Sequence, residues 1–306
     1  MAEQQPLDVN MFTSPFQLTK SMHRDIYHAV EPSNPAISAK GKVVIVTGAG
    51  GGLGNAVAVA LAEAGAAGIV IAGRNPSTLE MTAERIAAVG KSTPVLAHPT
   101  DVSSESSVKE LFERVREKFD KAHVLVNAAG TMNQGMIGDT PLASWWGDFE
   151  NNVKGTFIPT RSFIQCFGGE GTIINLVSTA VALAVPGISS YASSKLAVIK
   201  FGIALTIEYP EMRVFSVHPG IVEAADRGMV VDAFTPYAKD KQALTGGVSL
   251  WLSTPKAHFL NGGFLSVNWD VNEMKAHAEE ISVEKLNQLA FLNARLSPDG
   301  HAWGSK

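Results

Sequence analysis

The chain has 306 residues, of which 45% are hydrophobic, and its formal net charge at pH 7 is −4. This length and composition suit one large α/β domain. The slightly acidic balance, without a block of lysine and arginine, excludes the basic surface that nucleic acid or an anionic membrane would need, so neither partner is expected. Cys166 is the only cysteine and excludes an intrachain disulfide. Because no long apolar stretch or signal-like N-terminus accompanies these features, we expect a cytoplasmic protein.

The first 41 residues contain four prolines and show no sustained hydrophobic period. Proline removes a backbone donor and fixes φ, so regular secondary structure is not predicted here. We expect residues 1–41 to form an irregular leader that wraps the surface of the fold.

A glycine-rich turn follows the first apolar run, Val43–Val46, and precedes the helical stretch Ala56–Ala64. Its sequence, TGAGGGLG over residues 47–54, has the spacing GxxxGxG. Unpaired N–H groups at a helix N-terminus attract phosphate, and glycines let a pyrophosphate approach the backbone. A plain tight turn is the alternative. The predicted contacts with a nucleotide cofactor are Gly48, Gly52, Leu53 and Gly54.

Apolar runs of strand length alternate with helical stretches along the rest of the chain. This alternation predicts a single α/β domain in which helices cover both faces of a doubly wound parallel sheet. Ligands of such a sheet bind at the carboxyl ends of its strands. The predicted strands are Val43–Thr47, Ile69–Gly73, Val95–His98, Val124–Asn127, Thr172–Val177, Val214–Val217 and Phe264–Val267.

Three side chains have the chemistry of a proton-transfer site. Tyr191 and Lys195 lie four positions apart on a predicted helix and so share one face, where the ammonium would favour the phenolate. A tyrosine titrates near about 10 and needs such help to exchange protons at neutral pH. Ser178 ends the fifth strand, where its hydroxyl would donate to the oxygen that the tyrosine reaches. An exposed Tyr/Lys pair and a turn serine are the alternatives.

Taken together, the motifs resemble those of the short-chain dehydrogenase/reductase family, in its order and spacing across residues 41–268. The leader and the tail resemble those of fungal members. The resemblance implies a Rossmann-type fold, a small-molecule substrate and a homodimer or homotetramer. The motifs are the TGxxxGxG turn at Thr47–Gly54, Asn127–Gly130 for NNAG, Asn152, Ser178, Tyr191 and Lys195 for the catalytic residues, and Pro219–Gly220.

The same resemblance implies a role for each catalytic residue. Tyr191 is expected to act as general acid in reduction and as general base in oxidation. Lys195 is expected to lower the pKa of Tyr191 and to hold the nicotinamide ribose. Ser178 would position the substrate oxygen, and Asn152 would hold a water that connects Lys195 to solvent. The hydride itself passes directly between the nicotinamide and the substrate carbon.

The choice of cofactor rests on the end of the second strand. Gly73 stands where relatives that use NAD carry an aspartate, and Arg74 follows it, ready to pair with the 2′-phosphate of NADP. We therefore expect NADP rather than NAD, with a solvated surface arginine as the alternative. Asp101 resembles the residue that contacts adenine, and a helix N-cap is its alternative role.

Other cofactor contacts follow from the motifs, with two departures from the family pattern. Asn127 is expected to contact the cofactor from the NAAG motif, in which Ala128 replaces an asparagine. Pro219 and Val222, after the sixth strand, are expected to contact it as well. Ala224 replaces the family's threonine, which predicts altered nicotinamide binding. The eight histidines show no pair with ligand spacing, so no metal site is expected.

Residues 223–241 are predicted to form a flap over the site, with Met229, Val230, Val231, Phe234 and Tyr237 making it largely apolar. A bulky, largely apolar substrate fits such a wall. As an alternative, the acidic residues Glu223 and Asp226 would pair with a cationic group on the substrate.

In the tail, Asp270 with Glu273 three positions later predicts a helix cap, and Ser282 predicts the start of a second helix. We therefore expect a catalytic domain at 42–268 and a C-terminal helical extension at 269–306. One face of the second helix would carry Val283, Leu286, Leu289, Ala290 and Leu296.

These observations predict an NADP(H)-dependent oxidoreductase that interconverts a carbonyl and a secondary alcohol on a bulky substrate, with a setting in fungal secondary metabolism. One alternative keeps the fold and cofactor for imine reduction, dehydration or a cyclisation guided by the pocket. Another is an NADP-binding protein without turnover, because a fold alone does not establish activity.

Overall fold

The computed structural model describes residues 7–90, 92–222 and 232–289. Its centre is a seven-stranded sheet in which every neighbouring pair of strands is parallel, in the order β3-β2-β1-β4-β5-β6-β7. The predicted fold class and all seven predicted strands are confirmed. The strands are β1 (Val43–Thr47), β2 (Gly68–Gly73), β3 (Val95–Pro99), β4 (Val124–Asn127), β5 (Gly171–Leu176), β6 (Met212–His218) and β7 (Phe264–Ser266).

All but the last two helices lie between these strands in the chain, and helices cover both faces of the sheet. A π-helical turn, Phe149–Lys154, joins the fourth helix to the fifth. In the described residues no helix has the length and apolar character needed to cross a membrane. The helices are α1 (Gly52–Glu63), α2 (Pro76–Val89), α3 (Glu105–Phe119), α4 (Leu142–Asp148), α5 (Gly155–Phe167), α6 (Ser189–Glu208), α7 (Gln242–Leu252), α8 (Val271–Ala276) and α9 (Ala278–Val283).

Strand β1 shows how the sequence builds two cores. All five of its residues are buried, because a central parallel strand has helices on both faces. Val44 and Val46 join the core that contains side chains of α1 and α7, whereas Val43 and Ile45 join the core that contains side chains of α3 and α5. The order of strands reverses between β1 and β4, and a crevice at the carboxyl ends of these strands is where such sheets bind ligands.

The leader is bonded to the far end of the chain. Met22 forms an antiparallel bridge with Trp269, and the His23 amide donates to the Asn268 carbonyl at 2.9 Å. Further along, Val30 is fully buried in the core that includes α7. The described leader is irregular apart from short 3₁₀ turns at Ser14–Phe16 and His28–Val30. The domain boundaries at residues 41 and 268 stay predictions.

The start of the tail confirms one prediction and contradicts another. The Asp270 carboxylate accepts from the Asn272 and Glu273 amides and caps α8, as predicted. Ser282 does not begin a helix: it lies inside α9, and the chain turns at Lys285 with φ +53°. The expected apolar face is therefore interrupted after Val283. Its members Ala290 and Leu296 lie outside the described residues.

Candidate active site

The glycine turn predicted to hold phosphate leads directly into α1. A Cβ on Gly48, where φ is +66°, would lie 2.6 Å from the Ala129 nitrogen, and one on Gly54 would overlap the Gly48 carbonyl. Nothing lies within 4 Å of the corresponding positions at Gly51 and Gly52, so the turn is open on that side. No side chain caps α1, which leaves its first N–H groups available to an anion. The turn therefore fits a pyrophosphate.

A cavity of about 470 Å³ adjoins this turn and the carboxyl ends of β4, β5 and β6. Its walls are largely apolar, with a few polar groups on one side, as is usual for small-molecule sites. The predicted site residues that line it are Gly48, Gly52, Leu53, Gly54, Ser178, Tyr191, Pro219 and Val222.

Tyr191 and Ser178 meet at the polar side of the cavity. Tyr191 lies in the first turn of α6 and lines the cavity together with Ser178, which follows β5. Burial raises the pKa of Tyr191, and its interaction with the Ser178 side chain opposes this increase. Lys195 Nζ lies 5.9 Å from the centroid of the Tyr191 ring. Its role in lowering the pKa of Tyr191 stays a prediction. A protonated phenol is the form that reduction of a carbonyl requires.

Lys195 lies one helical turn after Tyr191 and is buried. Its Nζ donates to the Leu176 carbonyl at 2.9 Å. Burial lowers the pKa of Lys195 to about 8, while the charge of Asp148 acts in the opposite direction. A Cβ on Gly130 would lie 3.2 Å from this Nζ and 2.9 Å from Asn152 Oδ1. Glycine at the end of the NAAG motif therefore lets the lysine and the asparagine approach one another.

Asn152 lies in the π-helical turn and is completely buried. Its side-chain amide accepts from the Thr131 nitrogen at 2.8 Å and donates to the Thr131 carbonyl and to Ser194 Oγ, each at 2.9 Å. The side chain thus joins the loop after β4 to α6. Its role in holding a water stays a prediction.

Asp148, which the sequence did not single out, lies at the end of α4 and is fully buried. Its carboxylate accepts from Thr131 Oγ1 at 2.9 Å, from the Asn133 nitrogen and from Ser190 Oγ at 2.6 Å. Because Ser190 directly precedes Tyr191, this carboxylate fixes the start of α6 against the loop after β4. An aspartate within an aromatic stretch of a helix carries no sequence signal for such a role.

His218, at the end of β6, was also missed. It lines the cavity, and its Nδ1 accepts from the Thr179 nitrogen at 3.3 Å. Burial lowers the pKa of His218 to about 3, so the ring is neutral at physiological pH. The contact connects the Pro219 turn to the 3₁₀ turn Thr179–Ala182 that follows Ser178. The sequence did not predict this role, because His218 belongs to none of the motifs described above.

Four predicted cofactor contacts lie outside the cavity lining: Lys195, described above, and Arg74, Asp101 and Asn127. Arg74 is exposed at the end of β2, and its charge contributes to a lowered pKa of Asp101, whose main cause is the hydrogen bond with Ser103. The alternative role of Asp101 as the cap of α3 is wrong, because Ser104 caps that helix. Asn127 is buried, and its amide donates to Asn175 and Thr160 side chains. Its contact with a cofactor stays a prediction.

Part of the predicted flap lies outside the described residues. This applies to Glu223, Ala224, Asp226 and the apolar residues 229–231. Phe234 and Tyr237 are described and belong to a 3₁₀ turn, Asp232–Tyr237. Among the described residues, no group of three or more His, Cys, Asp or Glu side chains could hold a metal ion.

A parallel sheet with a phosphate-binding turn and a tyrosine, serine and lysine at the same edge defines a class of dinucleotide-dependent oxidoreductases. The chain belongs to the short-chain dehydrogenase/reductase family, because the family model described as short chain dehydrogenase matches residues 42–233. Members of this family bind NAD or NADP and act on small molecules.

The relatives found by comparison are fungal and bacterial members of this family. The chain is 34% identical to the short chain dehydrogenase mpl6 of Monascus purpureus, a match that covers 87% of this chain and 93% of that protein. It is 32% identical to the short chain dehydrogenase andI of Emericella variicolor, with 86% and 92% covered. A crystal structure of a short-chain type dehydrogenase/reductase from Mycobacterium marinum has a TM-score of 0.68 and 26% identity, with 76% and 95% covered.

Proposed function

We propose that this protein is an NADP(H)-dependent oxidoreductase that interconverts a carbonyl and a secondary alcohol on a bulky, largely apolar substrate. The observation that carries the proposal is that Tyr191 and Ser178 line the same cavity as the glycine turn, at its polar side. A proton donor and a dinucleotide-binding turn therefore face the same space.

In this proposal the chain's own residues bind, orient and move one proton. The open N-terminus of α1 would hold the pyrophosphate, and Pro219 and Val222 would contact the nicotinamide side. Ser178 would orient the substrate oxygen, and Tyr191 would donate the proton to it. When bound, the nicotinamide supplies a hydride to the carbonyl carbon or accepts one from the alcohol. Positioning and proton transfer are the protein's contributions to the rate.

Support for NADP comes from the end of β2. The strand ends at Gly73, so no carboxylate stands there to repel a 2′-phosphate, and Arg74 is exposed immediately after it. Support for the apolar substrate comes from the cavity walls, which include Leu183, Val185 and Ile188. The similarity to fungal short chain dehydrogenases supports a setting in fungal secondary metabolism.

The test mixes the enzyme with NADPH and a panel of carbonyl compounds that includes quinones and cyclic ketones, and follows the loss of NADPH absorbance. The proposal expects turnover of at least one bulky apolar carbonyl compound and slower turnover with NADH. An enzyme that binds NADPH but reduces no member of a broad panel would contradict the redox function. We also propose a homodimer or homotetramer, by analogy with the family.

A further inference from the structure

The cavity has one wall that comes from the N-terminal leader. Phe12 lies 30 positions before residue 42, where the match to the family model begins, yet it lines the same cavity as Ser178 and Tyr191. It is half-buried and lies beside Phe234, which lines the cavity from the 3₁₀ turn Asp232–Tyr237. We define residues 8–24 as the N-terminal strap.

The contacts of Phe12 are those of a packed aromatic group. Its ring lies edge-on to Phe234, with centroids 4.8 Å apart, and edge-on to Tyr237, with centroids 4.7 Å apart. Such edge-to-face pairs are worth about 0.5–1.5 kcal/mol beyond the area they bury. Tyr237 packs against Phe12 and is not part of the cavity lining. Two phenylalanine rings therefore face the cavity as one aromatic wall.

Buried polar contacts hold the strap in place. Two residues before Phe12, Asn10 Oδ1 accepts from Arg24 Nη2 at 2.7 Å. Arg24 Nη1 in turn donates to the fully buried carboxylate of Asp240 at 2.9 Å. The same carboxylate accepts from the Ile221 nitrogen at 2.6 Å, and Ile221 lines the cavity. One buried carboxylate thus fixes both the strap and the turn after β6.

A second anchor lies at the middle of the strap. The indole nitrogen of Trp269 donates to the Phe16 carbonyl at 2.8 Å, and the Glu273 carboxylate accepts from the Lys20 and Ser21 nitrogens. The strap is therefore bonded after Phe12 to residues that follow β7 and precede α7, and Asn10, before Phe12, joins this network through Arg24. A loop restrained in this way can hold a side chain against a ligand with little loss of entropy on binding.

We propose that Phe12 is a specificity-determining residue, which with Phe234 forms an aromatic wall that selects planar, polycyclic aromatic carbonyl compounds. The inference rests on the proposed function, because it takes the cavity as the substrate site. Aromatic faces stack with planar ligands, and other parts of the lining offer aliphatic side chains such as Leu183 and Val185. A small aliphatic carbonyl compound would leave this wall uncovered.

The test measures binding and does not depend on turnover. Full-length enzyme is saturated with NADP⁺, or with NAD⁺ if that binds more tightly, and titrated with 9,10-phenanthrenequinone in a calorimeter. We expect Phe12→Ala to weaken the affinity for the quinone about tenfold or more, which corresponds to about 1.4 kcal/mol. Phe12→Leu, which keeps the apolar character but removes the ring, should fall between wild type and Phe12→Ala.

The matched control is Met11→Ala in the neighbouring position. Met11 is 49% exposed and lies outside the described cavity lining. This variant should bind the quinone within twofold of wild type, and all variants should bind the cofactor within twofold. Wild-type affinity in Phe12→Ala, an equal loss in Met11→Ala or no binding by wild type would each overturn the proposal.

Kinetics separate this proposal from the proposed function. Reduction of 9,10-phenanthrenequinone and of 2,3-butanedione compares a large and a small vicinal diketone with the same reacting group. In Phe12→Ala, kcat/KM for the quinone should fall about tenfold, whereas that for butanedione should stay within twofold. Binding of the quinone, with no reduction of it or of any other compound in the panel, would contradict the redox function and still support the aromatic wall.

Discussion

At the scale of single residues, cofactor preference depends on Arg74. Its guanidinium is exposed after β2, and no acidic side chain occupies the Gly73 position before it. Charge-assisted hydrogen bonds to a phosphate are worth about 1.5–3 kcal/mol. We expect Arg74→Ala to lower kcat/KM with NADPH about 10- to 100-fold and to leave kcat/KM with NADH within twofold.

The control for this variant is Lys109→Ala, which removes another exposed cation, on α3. Lys109→Ala should leave kcat/KM with NADPH and with NADH within twofold of wild type. Steady-state kinetics with both cofactors provide the measurement. An equal decrease with NADPH and NADH in Arg74→Ala would show that Arg74 does not read the 2′-phosphate.

The sequence identified site residues where spacing along the chain reflects one local element. Gly48, Gly52 and Gly54 belong to a single strand-to-helix turn, and Tyr191 and Lys195 to a single helix, so their pattern is visible in sequence. Asp148, His218 and Phe12 reach the site through contacts between distant segments. The residues next to each of them in the sequence do not show that it is buried or near the site, so only the structure identifies these three residues.

At the scale of elements, the Arg24 and Asp240 pair joins the N-terminal strap to the turn after β6. Removing the cation leaves a fully buried carboxylate without its partner, which typically costs about 3–5 kcal/mol. We expect Arg24→Leu to lower the free energy of unfolding by about 3 kcal/mol at pH 8. Asp240→Asn also destabilises, because an amide cannot accept both the Ile221 and the Asn268 donors.

This loss should depend on pH. Burial raises the pKa of Asp240 in the folded chain, and Arg24 opposes the increase. Without Arg24 the folded-state pKa rises further, so the folded state takes up a proton more readily than the unfolded state as the pH falls. The difference in stability between Arg24→Leu and wild type is therefore largest at pH 8 and shrinks towards pH 5.

Urea unfolding of wild type, both single variants and Arg24→Leu with Asp240→Asn tests this coupling. The double variant should be more stable than Arg24→Leu alone at pH 8, because no unpaired charge remains. Simple addition of the two single losses, with no dependence on pH, would show that the pair is not coupled.

Elements were predicted well where hydrophobic periodicity is strong. Six of the seven strands are largely buried apolar runs in a sheet covered on both faces, so burial itself favours their sequence, whereas the edge strand β3 is only partly buried. The second tail helix was misplaced because Ser282 fits an N-cap, but the preceding residues already continue a helix that starts at Ala278. The strap was predicted only as irregular, since its order comes from bonds to Asp240, Trp269 and Glu273.

At the scale of the whole molecule, exposed apolar side chains on α5 and α6 support the proposed oligomer. Phe157 on α5 is 45% exposed and Ile207 on α6 is 75% exposed. The centroids of the Phe157 and Phe201 rings lie 6.0 Å apart, so α5 and α6 contact one another at these residues. Large apolar side chains exposed on neighbouring helices are typical of an interaction surface.

We expect light scattering to give a mass two or four times the 32.4 kDa of one chain. Phe157→Glu should shift the protein towards the monomer, because a carboxylate would be buried in the interface. Val283→Glu is the control, at a residue 69% exposed on α9. A monomeric wild-type protein at working concentration would contradict the proposed assembly.

The central claim is that the Tyr191 hydroxyl transfers the proton to or from the substrate oxygen, and removal of that hydroxyl tests it most directly. We expect Tyr191→Phe to lower kcat for a carbonyl compound that wild type reduces by at least about 100-fold, the usual contribution of a general acid, and to bind NADPH within twofold of wild type. Tyr209→Phe, which removes a hydroxyl at the end of α6, should keep wild-type kcat. A kcat within twofold of wild type in Tyr191→Phe would contradict the account.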